Sequence, residues 1–151
     1  MKWKEYFRSI AHQVKLKSKD INTKIGAVVV GSDNQIVSTG YNSFPRGIND
    51  NLSERQERPE KYYFFEHAER NAIYNAALIG VSTKGTTMYL TCGIPCSDCA
   101  RGIINAGIKN VVCESVDSEL NNTDHNEIWK EHAKRSLQMF DEAGVTVSYY
   151  D

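Results

Sequence analysis

TTMYLTCGIPCSDCARGIINAGIKNVV, residues 86–112, decides the architecture. It opens with a strand-like run through TTMYLTC and turns at Gly93 and Pro95. Residues 96–106 are helix formers ending before Gly107, and KNVVC resumes as a second strand. Two strands joined by a helix lie parallel in one sheet, because a crossover returns the chain to the same direction.

The flanking segments extend this unit. IGAVVV at 25–30 reads as a buried strand, GSDN at 31–34 as a turn and QIVSTGY at 35–41 as the antiparallel partner, which predicts a hairpin. Before it, Trp3, Tyr6, Phe7, Ile10, Ala11 and Val14 recur every three or four residues, the apolar stripe of an opening helix. Residues 42–61 turn polar around Pro45, Gly47 and Pro59 and predict a long loop of the kind that serves a site. Residues 68–78 form a helix that ends at Gly80, residues 125–143 another closed by Gly144, and VTVSYY supplies a last strand. The order α, β, β, α, β, α, β, α, β predicts an α/β fold with a central five-stranded mixed sheet and helices on both faces.

Composition narrows the class. At 151 residues, 40% apolar and 25% charged, the chain predicts a single domain over 1–151 with one core. No apolar run approaches the ~18 residues of a membrane span, and the charged N-terminus lacks a secretory signal, so a cytoplasmic location is expected. A net charge of −1 argues against a general nucleic-acid binder. Four cysteines in a cytosolic chain point to metal or catalysis rather than to a disulfide framework.

Cys96 and Cys99 open a predicted helix, where the backbone dipole and unpaired N–H groups favour the metal-binding thiolates, and Pro95 suits such a start. Two thiolates do not complete a zinc site. His67 can supply a third donor and leave one tetrahedral corner to solvent, as in catalytic zinc sites. Residues two apart on a helix point to nearly opposite sides, so His67 and Glu69 share a site only if the helix begins there; Glu69 is then a proton carrier rather than a ligand. The alternatives are a closed structural site with Cys92 as fourth donor, a redox-active CxxC, and His67 as a mere helix cap. His12, His125 and His132 sit on predicted helices without comparable spacing.

HAE followed by PCSDC makes an HxE and PCxxC pair, the signature of zinc nucleotide and nucleobase deaminases. Through TKIGAVVV, STGYN, EHAERNAI, residues 86–112 and FDEAGVTV, nearly the whole chain resembles the deoxycytidylate (dCMP) deaminase family. The resemblance implies a cytidine-deaminase-like three-layer α/β/α sandwich, with His67, Cys96 and Cys99 on catalytic Zn2+ and Glu69 as proton shuttle. It implies deamination of dCMP to dUMP and ammonia, supplying the dTMP precursor. Asn42 then reaches the sugar, and Thr23, Lys24 and Arg46 the phosphate; the plainer readings are a turn residue and solvated loop charge.

The same resemblance implies a homo-oligomer up to a hexamer, and dCTP or dTTP effectors with Mg2+. Here Ser43 stands where many regulated relatives have the glycine of GYNG, which counts against that control. The second, structural zinc of some viral members lacks an evident ligand set. The rival activities are deamination of another cytosine nucleotide, a nucleoside or a free base, and tRNA adenosine deamination. The non-enzyme rival is a zinc-stabilised nucleotide sensor. The aromatic cluster KYYFF, 61–65, is expected to pack the long loop or an oligomer contact.

Overall fold

A computed structural model describes residues 1–115 and 126–150. Its elements run α1 (Trp3–Val14), β1 (Gly26–Val30), β2 (Ile36–Tyr41), α2 (Glu60–Phe64), α3 (Ala68–Ile79), β3 (Thr87–Leu90), α4 (Ser97–Asn105), β4 (Asn110–Cys113), α5 (Asn126–Ala143) and β5 (Thr146–Tyr149), with 3₁₀ turns at Lys15–Lys17 and Ser53–Gln56. His125, where the sequence starts the last helix, lies outside the described residues.

The five strands form one mixed sheet in the order β2-β1-β3-β4-β5. Strand β1 pairs antiparallel with both β2 and β3, whereas β3-β4 and β4-β5 are parallel, as the helical crossover in residues 86–112 requires. GAVVV is buried along its whole length because it lies inside the sheet with both faces covered. The hairpin closes through the Gly31 N–H bond to the Gln35 carbonyl and through Asn34 at φ 61°, a left-handed position that asparagine tolerates.

Helix α1 covers one face, where Phe7 and Ala11 meet Val28, Val30, Tyr89, Val112 and Tyr150. The other face carries α3, α4 and α5, whose Ala72, Ile103 and Phe140 pack with Val29, Met88, Leu90 and Val111. This is the three-layer α/β/α arrangement. Gly40 sets how closely α3 approaches: a Cβ there would lie 2.3 Å from the Ala72 nitrogen and 2.6 Å from the Ala68 carbonyl oxygen. Gly80, at φ 76°, ends α3 in a left-handed cap.

Two details differ from the sequence-based expectation. The polar stretch before His67 is not all loop; it contains the Ser53–Gln56 turn and α2, neither of which has a buried residue or an apolar stripe to reveal it. β3 is also shorter than TTMYLTC, because the chain leaves the sheet after Leu90 to reach the turn before α4. Within KYYFF, Tyr62 and Tyr63 are exposed, while Phe65 packs on Phe44 with ring centroids 4.3 Å apart.

Candidate metal centre

Helices α3 and α4 begin beside one another, and the site is built from those two beginnings. His67 is the N-cap of α3, with extended backbone at φ −79° and ψ 150°. Its own N–H bonds to Glu66 Oε1 at 2.9 Å, and its carbonyl accepts the Asn71 N–H at 2.9 Å. The imidazole therefore leaves the helix sideways, and Glu69, one turn of geometry earlier than a mid-helix residue, can turn toward the same space. Cys96 is the N-cap of α4, and its sulfur accepts the Cys99 N–H at 3.4 Å.

His67 Nδ1 lies 3.5 Å from Cys96 Sγ and 3.4 Å from Cys99 Sγ, and the three donor atoms all fall within 4.8 Å of one another. Zinc bonds of ~2.3 Å to sulfur and ~2.0 Å to nitrogen at a tetrahedral angle separate S from N by roughly 3.6 Å. The donor set therefore fits a shared zinc ion in both chemistry and spacing. It is the only such His/Cys/Asp/Glu group among the described residues.

Electrostatics agree with that use. The Cys96 thiol is pushed down to about 4, first by a hydrogen bond from Cys99 and then by the imidazole of His67, while Cys99 is pushed up by that same hydrogen bond and by burial. One thiolate is thus already stable between the two sulfurs. The Cys96 hydrogen bond and the Glu69 carboxylate raise His67, against its burial. Glu69 is only 4% exposed; burial raises its pKa, with His67 pulling it back. A buried acid whose pKa is raised beside a metal site is suited to hold and release a proton.

Arg70 anchors the start of α3 through Nε and Nη2 to Glu66 Oε1, at 2.7 and 2.6 Å, and reaches toward Asp98 of α4 at 3.8 Å. Cys92 is intermediate in exposure rather than part of the donor group, and burial pushes its thiol well above the usual range.

The expected substrate contacts do not cluster as tightly. Asn42 is buried; its Nδ2 donates to Asp20 Oδ2 and the Thr23 carbonyl, and its Oδ1 accepts the Ile25 N–H. It braces the segment before β1, which leaves one Oδ1 lone pair for other contacts. Thr23 and Lys24 are exposed on that segment, and Arg46 lies on the outer side of α3, donating to Asn75 Oδ1. Ser43 pairs with Glu66 through both backbone bonds and accepts Asn71 Nδ2 at 3.1 Å.

Residues that the sequence reading did not single out complete the surroundings. Asp20 accepts Lys61 Nζ at 2.9 Å and the N–H groups of Asn22 and Thr23, joining the segment before β1 to α2. His132 of α5 accepts the Ser97 N–H at 3.1 Å across 35 residues of sequence. No local spacing signals either partnership.

Residues 1–115 match the family model described as the cytidine and deoxycytidylate deaminase zinc-binding region. The chain belongs to this family. It is 37% identical over 151 residues to a deoxycytidylate deaminase of Pongo abelii, covering 97% of this chain and 78% of that protein. It is 41% identical over 117 residues to that of Homo sapiens, covering 74% of this chain and 64% of the human protein. The chain thus spans about two-thirds to three-quarters of these relatives. A crystal structure of dCMP deaminase from the cyanophage S-TIM5, in complex with dCMP and dUMP, superposes with a TM-score of 0.74 over 99% of both chains at 26% identity. Among the described residues of this family member, no helix is long and apolar enough to cross a membrane.

Proposed function

We propose that this chain hydrolyses dCMP to dUMP and ammonia, with His67, Cys96 and Cys99 as zinc ligands and Glu69 as the proton carrier. The observation that carries the reading is the convergence of two sulfurs and one imidazole beside a buried carboxyl. Likeness along nearly the whole chain to a dCMP deaminase solved with dCMP and dUMP supports the substrate.

Zinc held by those three residues supplies Lewis acidity that brings the pKa of water down toward ~7. His67 enters from the N-cap and the cysteines from the first turn of α4, so rigid helix starts set the donor geometry. Glu69 takes the proton of the water that adds to C4 of cytosine and delivers it to N3. It then passes a second proton to the exocyclic amine as the C4–N bond breaks, and ammonia leaves with the C4 carbonyl formed. Burial suits Glu69 to this traffic, because a raised pKa brings proton uptake and release closer to neutral pH.

Thr23 and Lys24 are proposed for the phosphate, with Arg46 at the more distant edge, and the remaining Oδ1 lone pair of Asn42 for a sugar hydroxyl. A homo-oligomer up to a hexamer, a cytoplasmic location and one domain over 1–151 belong to the same reading. Control by dCTP or dTTP with Mg2+ is its finest part; the Ser43 hydroxyl already has a partner in Asn71, which counts against it.

The test is ammonia release from dCMP, dCTP, deoxycytidine, cytosine and an adenosine-containing tRNA, with and without Mg2+ and each triphosphate, alongside zinc analysis. Turnover of dCMP with the highest kcat/KM is expected. Inactivity on dCMP beside turnover of another compound would reject the substrate.

A further inference from the structure

We propose that α5 holds residues 95–97 in the shape that grips the metal, through His132 and Ser136, which makes His132 a positioning residue for the reaction. This rests on the reading of Cys96 and Cys99 as zinc donors.

The first amides of a helix have no partner within it. In α4 the Cys99 N–H is taken by the Cys96 sulfur, whereas the Ser97 N–H goes to His132 Nδ1 at 3.1 Å, with Ser97 Oγ 2.9 Å from the same nitrogen. An imidazole nitrogen that accepts a backbone N–H must carry a lone pair, so the ring proton of neutral His132 sits on Nε2. One turn further along α5, Ser136, completely buried, donates its hydroxyl to the Pro95 carbonyl at 2.7 Å.

The two side chains are four apart and so share one helix face. They grip the peptide groups on both sides of Cys96. Trp129, its ring centroid 5.7 Å from that of His132, packs against the imidazole and limits its rotation. Sequence-local forces leave the turn before α4 free to rotate about its backbone; the pair of bonds from α5 removes that freedom. The direction of Cys96 Sγ toward His67 is thereby tied to a helix that provides no metal ligand.

Zinc release to a chromogenic chelator is measured on the zinc-loaded full chain, together with kcat and KM for dCMP, for His132→Leu, His132→Asn and Ser136→Ala. His132→Leu is expected to release zinc ~10–100-fold more readily, as the loss of an outer-shell partner does in other metal sites, and to lower kcat about tenfold with KM within about twofold. His132→Asn, whose amide oxygen occupies the place of Nδ1, should recover most of both. A leucine variant that retains zinc like the wild type, or an asparagine variant no better than leucine, would overturn the proposal. Ser136→Ala tests the clamp without altering His132: release at least ~3-fold faster supports it, and unchanged release overturns it. Zinc release reads the clamp even on a protein inert toward dCMP, so failure of the substrate reading is told apart from failure of the clamp.

Discussion

Glu69 occupies the second position of α3, buried to 4% exposure, and is the one carboxyl close to the donor atoms that is not needed to hold a metal. Glu69→Gln keeps its shape and hydrogen bonding but cannot cycle a proton. Turnover of dCMP is expected to fall by about 10²–10⁴-fold, with zinc content unchanged in metal analysis; a variant that keeps its rate would remove Glu69 from the mechanism. A second residue-scale outcome concerns Cys113, whose thiol is pushed up to about 12 by burial first and by Glu114 and Glu69 after that. In the unfolded chain it ionises near ~8.5, so the folded state holds the proton more tightly. That stabilising contribution is complete below ~8.5 and is lost at up to ~1.4 kcal/mol per pH unit as pH rises toward the folded value. Urea midpoints should therefore fall between pH ~8.5 and ~10.5, and Cys113→Val, which has no thiol to ionise, should flatten that fall. Equal slopes in the two proteins would contradict the assignment.

At the scale of elements, the site depends on how α3 seats against β2. The two atoms that a Cβ on residue 40 would strike are backbone atoms of Ala72 and Ala68, so no rotamer change relieves the clash and the helix must move away. Gly40→Ala is expected to cost about 1–3 kcal/mol in urea unfolding, the usual range for overpacking. Because Ala68 directly follows His67, the same variant should lose zinc faster to a chelator. Unfolding and zinc release both equal to wild type would show that the close approach is not needed.

Across the whole molecule, three donors from two helix starts separated in the chain tie the α3–α4 layer together, so zinc that binds the folded state alone adds to its stability. At a free concentration ~1,000 times Kd this is about 4 kcal/mol, which in a chain of this size lowers the melting temperature by roughly 10 °C when zinc is stripped. Differential scanning calorimetry with and without a chelator checks this. Re-addition of Zn2+ should restore the transition and Mg2+ should not, because the sulfur donors favour the softer ion. A transition indifferent to chelation of all zinc would separate the metal from the fold.

The periodic segments were legible in order. IGAVVV and KNVVC could only be buried strands, the stripe from Trp3 to Val14 only an amphipathic helix, and the glycines at 80 and 107 end their helices because they alone adopt positive φ cheaply. The short α2 was not legible, since it buries no residue and is tied in by Lys61 on Asp20, far away in sequence. HAE and PCSDC announced the zinc chemistry through residue type and helix-start position, which are local properties. Tertiary structure alone decided that Asn42 spends its amide bracing the segment before β1, and that His132 and Ser136 reach back to the turn around Cys96. Local sequence determines which backbone shape each segment prefers; which distant polar groups satisfy one another depends on how the packed layers bring them within hydrogen-bond distance.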